Sequence, residues 1–171
     1  ARTLMHMALS AQGGPDGLND RLNQAQQAIA RAETIDPNDV RYPFFDGAIA
    51  LLQAYPSLMQ DQPDAKQKVQ RLCGAYEAAL KITQDYRPAM LYLVEIYETL
   101  PETQGGDKAK AAQYAARLET LDPIYGAKAK AILLGDGNTF EYWQEVLTKH
   151  SGNAEVLEEM GKAYLRADRV N

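Results

Sequence analysis

Side chains suited to chemistry are few in this chain, and they stand far apart. His6 and His150 are its two histidines and Cys73 its one cysteine. Their separations give none of the short spacings by which a helix or loop offers several ligands to one metal ion. Gly135-Asp136-Gly137-Asn138 begins like a calcium-binding loop, but the acidic positions that should follow are missing, which leaves a turn. Gly13-Gly14-Pro15-Asp16-Gly17 and Gly105-Gly106 lack the Lys-Ser/Thr or spaced-glycine context of phosphate loops. No Ser, His and acid arrangement for nucleophilic catalysis can be assembled. The expectation is a protein with no catalytic residues, cofactor or metal, and hence not an enzyme. The ten tyrosines are the remaining polar-tipped resource. Tyr76, Tyr97 and Tyr164 fall at core spacing and read as packing residues. Tyr42, Tyr55, Tyr92, Tyr125 and Tyr142 are less determined, and some are candidates for a binding face.

Composition excludes several partner classes. The 171 residues carry 18 basic and 23 acidic side chains, a net charge of -5. A nucleic acid or an anionic membrane surface would call for a basic stripe instead. The apolar share of 46% and charged share of 24% are those of a globular chain. No stretch approaches 18 uninterrupted apolar residues, so no membrane span is expected. Cys73, inside a helical pattern, reads as a buried thiol and does not choose between compartments. The chain opens on Ala1 and ends at Asn171 in what reads as mid-repeat. It is therefore expected to be a single domain over 1–171, processed or cut, and truncated at its C-terminus.

The elements that must position any site are all helical. Apolar residues recur with a 3.6 period and nowhere alternate as in strands. Nine helices are predicted, over about 2–12, 17–34, 41–54, 64–83, 88–100, 107–121, 125–134, 139–149 and 154–167. Asp64 and Asp107 are candidate N-caps, and Asn138-x-x-Glu141 reads as a capping box. Tyr55-Pro56 should end the third helix, leaving Tyr55 to Pro63 as a surface excursion. The other links are short, so neighbouring helices should form antiparallel hairpins.

Two patterns recur on these helices. One reads Leu157-x2-Met160-Gly161-x2-Tyr164, Met90-x2-Leu93-Val94-x2-Tyr97 and, more weakly, Pro43-x2-Asp46-Gly47-x2-Ala50. The other reads Ala25-x3-Ile29-x2-Ala32-x4-Pro37, Leu72-x3-Tyr76-x2-Ala79-x4-Gln84, Ala111-x3-Ala115-x2-Leu118-x4-Pro123 and Thr139-x3-Trp143-x2-Val146-x4-Ser151. Together they resemble the tetratricopeptide repeat (TPR) over nearly the whole chain. Gly47 and Gly161 would let paired helices approach closely, and Tyr76, Tyr97, Trp143 and Tyr164 would fill the space to the next pair. Overpacking at Gly161 and burial of Trp143 are therefore expected. The corners at Pro37, Gln84, Pro123 and Ser151 lie 47, 39 and 28 residues apart, against a regular unit of about 34. The array should be irregular.

The resemblance implies an all-α, right-handed superhelical stack of antiparallel hairpins, a TPR-like α-solenoid of about four irregular repeats and a terminal half-repeat. It also implies a non-enzymatic scaffold that binds a protein or peptide in its concave groove. The groove candidates are Arg41, Phe44, Leu91, Glu95, Glu98, Lys130, Glu158 and Lys162. Glu95 and Glu98 would call for Lys or Arg on the partner. Some arrays of this family clamp the carboxyl terminus of heat-shock chaperones with Lys and Asn. Ala48 and Glu95 stand in the asparagine places here, so that specialisation is not expected. The phrase Leu100-Pro101-x3-Gly105-Gly106-Asp107 with Leu121-Asp122-Pro123 is similar to linkers of exported bacterial repeat proteins, among them the T-component family of TRAP transporters. It offers an alternative, a periplasmic small-ligand or transporter-accessory protein, and tilts localisation towards the periplasm over the cytoplasm. Leu157, Met160, Tyr164 and Leu165 on the last helix should make that end sticky, through self-association or a longer chain.

Overall fold

The computed structural model describes residues 15–135 and 139–166. Within them the chain is all α, with eight helices and no strand. They are α1 (Pro15–Ile35), α2 (Arg41–Met59), α3 (Ala65–Ile82), α4 (Arg87–Thr99), α5 (Lys108–Leu121), α6 (Pro123–Leu134), α7 (Thr139–Lys149) and α8 (Ala154–Arg166). A single 3-10 turn, Glu102–Gln104, separates α4 from α5. The helix expected over 2–12, the capping residue Asn138 and the last turn from Asp168 to Asn171 lie outside the described residues.

Each helix packs against the next in the chain, and α4 also touches α6. The core follows that order. Leu22, Ala25, Ile29 and Ile49 join α1 to α2. Val69, Leu72, Tyr76, Leu93 and Tyr97 join α3 to α4, with Ala50 of α2 and Ala111 of α5 completing the cluster. Met90, Val94, Leu118 and Ala129 join α4, α5 and α6. Phe140, Trp143, Val156 and Met160 join α7 to α8. Short links return each chain direction on itself, so apolar stripes at three- and four-residue spacing meet their sequence neighbours.

The closest approach in the first half is at Gly47. A Cβ there would lie 2.6 Å from the Tyr76 ring, so only glycine lets α2 and α3 come together with that ring between them. Tyr76 is fully buried and stacks on Tyr92, ring centres 5.1 Å apart, and both rings lean on Phe44.

Two stretches depart from the sequence reading. First, α2 does not stop at Tyr55-Pro56 but runs on to Met59 with Pro56 inside it. Pro56 forfeits one backbone hydrogen bond, yet the next turn is held from the other side. Ser57 is fully buried, its hydroxyl donating to Gln62 and accepting from Lys68, at 3.0 and 2.7 Å, while Leu58 packs on the core. The excursion shrinks to a turn over 60–64, whose Asp61 has positive φ and accepts a hydrogen bond from Gln104. Asp64 precedes α3 as expected, but its carboxylate pairs with Lys68 at 2.9 Å and does not cap the helix. Second, Gly161 is not a contact glycine. A Cβ at Gly161 would meet nothing within 4 Å, and Tyr164, expected in the core, is 42% exposed with its ring edge-on to Phe140. The face that should receive a partner helix is open among the described residues.

The same substitution should therefore act with opposite sign at the two pattern glycines. Alanine is favoured over glycine in a helix by about 1 kcal/mol. Gly161→Ala should stabilise by roughly 0.5–1 kcal/mol, whereas Gly47→Ala should lose about 1–3 kcal/mol net through overpacking. Urea unfolding at low protein concentration measures both, and equal signs would refute the packing described.

Candidate binding groove

A cavity of about 480 Å³ opens between α4, α6, α7 and α8. Helical spacing explains its walls. Leu91, Glu95 and Thr99 are successive four-residue steps along α4, and Lys128 and Ile132 make the same step along α6. Glu159, Lys162 and Arg166 close the third side from α8, and Trp143 of α7 forms the floor. A second hollow of about 250 Å³ shares Leu91, Glu95 and Lys128 with the first and continues it past Tyr92 and Tyr125. The two make one groove along the length of α4 and α6.

Asp122 sets the relation between these two walls. Its carboxylate accepts from the backbone N–H groups of Ile124 and Tyr125 at 2.9 and 3.1 Å, capping α6, with Pro123 as the first helical residue. It also accepts from the Arg87 guanidinium of α4 at 2.6 Å. Burial alone would raise this carboxyl group, but the two N–H donors and Arg87 outweigh it and hold it below the usual range. Arg87 and Lys128 then both lie over the Tyr125 ring, at 5.7 and 5.6 Å from its centre.

The charges of the groove are mixed. Lys128 pairs with Glu155 at 2.7 Å, and Lys162 with Glu158 and Glu159 at 2.7 and 2.9 Å. Glu95 stands on the opposite wall, where desolvation raises its pKa and Arg166 partly restores it. The floor is apolar: Trp143 is 3% exposed and packs against α6 and α8, as its place in the pattern requires.

Of the eight residues expected in the groove, the structure brings Leu91, Glu95 and Lys162 together there. Glu158 touches the rim through Lys162, but its own carboxylate lies outside. Glu98 turns away to an ion pair with Lys108 at the start of α5. Lys130 lies on another face of α6, over the Tyr142 ring at 5.6 Å, beside Glu145 and Lys149. Arg41 is held by Asp39 at the start of α2, drawing that carboxyl down to about 2. Phe44 reaches the groove only through Tyr92. Of the tyrosines offered for a binding face, Tyr92 and Tyr125 line the groove's continuation; sequence reasoning missed Lys128, Trp143, Glu159 and Arg166 as lining residues. The signal for Lys128 was its four-residue step to Ile132, but α6 carries apolar residues on all sides, so no face stood out.

Elsewhere the nucleophilic inventory is quiet. Cys73 is buried, and desolvation pushes its thiol up to about 11, far from the thiolate needed for reaction. The neighbouring Tyr97 hydroxyl donates to Glu77 at 3.1 Å. Among the described residues no group of three or more His, Cys, Asp or Glu side chains is placed to hold a metal ion. Compared with protein-family models, curated proteins and solved structures, the chain gives no significant match.

Two substitutions test this geometry. Trp143→Ala should cost roughly 3–5 kcal/mol, and an unchanged melting temperature would put the ring elsewhere. Asp122→Ala should cost about 1–2 kcal/mol, with Asp122→Asn closer to wild type. Because the folded pKa of Asp122 lies below its unfolded value of about 3.9, its contribution is complete above that pH and is lost as pH falls through the folded value. Acid unfolding of Asp122→Asn should accordingly be less steep below about pH 4. An acid transition identical to wild type would show that the carboxylate is not so held.

Proposed function

We propose that this chain is a non-enzymatic, TPR-like scaffold that holds a peptide or an extended protein segment in the groove between α4, α6 and α8. In this reading the hairpins α2–α3, α4–α5 and α6–α7 stack as a right-handed α-solenoid, with α8 packed on α7. The observation that carries it is the groove: an apolar floor at Trp143 between walls that set Leu91 and Ile132 among charges of both signs. Such a surface suits side chains of alternating character along a strand or helix. It does not suit a nucleic acid, which would need uniformly basic walls. No helix of the described residues is long and apolar enough to cross a membrane.

The contact between α4 and α6 supports the stacking, since both helices carry groove candidates drawn from the resemblance. Glu98 is already paired with Lys108, so the basic partner residue expected from the sequence falls to Glu95 alone. The scaffold reading is preferred to a transporter accessory because the phrase that suggested the latter has a local cause. Gly105 has a φ of +105°, and a Cβ on Gly106 would lie 1.8 Å from the Leu100 carbonyl oxygen. Asp107 then caps α5 through the Lys110 N–H at 3.0 Å. Turn geometry alone demands these residues.

Selection of short peptides from a random phage-displayed library against the purified chain tests the proposal. Selected peptides should carry Lys or Arg. Glu95→Lys should weaken them about tenfold or more, roughly 1.4 kcal/mol, whereas Glu98→Lys should leave them unchanged and both proteins should keep wild-type helicity. Binding should also fall as pH is lowered through the raised Glu95 value, where the carboxylate is neutralised. Peptides that bind Glu95→Lys as tightly as wild type would overturn the groove as the binding site.

A further inference from the structure

The outer face of α8 is a stripe of Leu157, Gly161 and Leu165 at four-residue steps, bordered by Tyr164. Leu157 is 51% and Leu165 65% exposed. These residues point away from Val156, Met160 and Ala163, which pack into the body of the protein. On α2 the matching glycine, Gly47, receives the Tyr76 ring of α3. On α8 nothing lies within 4 Å of where a Cβ would stand, so the place built for close approach is vacant among the described residues.

We propose that two copies of this chain associate through this face, antiparallel about a two-fold axis beside Gly161. The charge pattern selects that occupant. The first half of α8 carries Glu155, Glu158 and Glu159, and the second half carries Lys162 and Arg166. In an antiparallel pair related by a two-fold axis, the same edge of both helices lies on the same side. With Gly161 at the axis, Glu158 comes within reach of Lys162 of the second copy, twice over. Leu157 of each copy then meets Leu165 of the other, and the glycines let the backbones approach. The helix dipoles oppose favourably in the same arrangement. A parallel pair would instead set Glu158 against itself. Within the chain Glu158 and Lys162 pair with each other at 2.7 Å, and with side chains 65% and 45% exposed they can be shared across the interface.

One face of a 13-residue helix is about 20 Å long, so the interface belongs to the small, weak class. Dimers should form reversibly with concentration. Sedimentation equilibrium on the 171-residue chain should show a monomer–dimer mixture that Leu157→Glu/Leu165→Glu shifts at least tenfold towards monomer, with helicity unchanged by circular dichroism. Under oxidising conditions, Leu157→Cys mixed with Leu165→Cys should give a disulfide-linked dimer, while Leu157→Cys alone should not, since the native Cys73 is buried. A monomer up to about 1 mM would overturn the proposal and leave the face to a different protein or to further polypeptide. A dimer indifferent to the double Glu variant would overturn it too. Ready cross-linking of Leu157→Cys with itself would replace antiparallel pairing by parallel.

Discussion

The ion pair between Asp122 and Arg87, 2.6 Å long, joins the first turn of α6 to the first turn of α4, and the groove depends on that registration. The same carboxylate caps α6, so the position of the helix start and its offset from α4 are set by one group. From this fixed point each helix sends one stripe into the groove, Leu91, Glu95 and Thr99 on one side and Lys128 and Ile132 on the other. The four-residue steps climb at the same rate on both helices. A partner lying along either wall would therefore meet a surface that repeats every turn.

Helix starts were the most legible part of the chain because their chemistry is local. Asp107 accepts the Lys110 N–H as its type and position foretell, and Asp122-Pro123 does the work of an N-cap followed by a first-turn proline. Pro123, a corner of the repeat pattern, is the first residue of α6. The end of α2 was not legible. A proline within a helix costs a hydrogen bond that sequence can foresee, but the compensation through Ser57, Gln62 and Lys68 comes from the following turn and from α3. Tertiary contacts decided the matter over local propensity.

The groove divides in the same way. On α4, which has a distinct apolar face, periodicity places Leu91 and Glu95 on the groove side and fails only for Glu98, whose partner Lys108 sits on the following helix. On α6 the pattern has no direction. Alanines, Ile132, Leu133 and Leu134 surround the helix, and choosing between Lys128 and Lys130 requires knowing where α4 and α7 lie. Lys130 rests on Tyr142 of α7 and Lys128 on Tyr125 of its own helix. Each lysine covers an aromatic ring with its stem, and only the packing of neighbours tells which ring faces the groove.

A core assembled in series has a consequence for how this site can vary. Contacts run mainly between sequence neighbours, so each interface stabilises chiefly the helices beside it. Trp143 is the exception within the groove. It is the floor of the cavity and also the ring that fixes α7 against α6 and α8, so a change of floor is a change of stability. Leu91 and Lys128 are half-buried, and Glu95 keeps access to solvent although the groove walls partly desolvate its carboxyl, so their far ends can be altered while their helices stay in place. Binding preference can therefore drift through the walls, while the depth of the groove is held by the same side chain that holds its end of the array together.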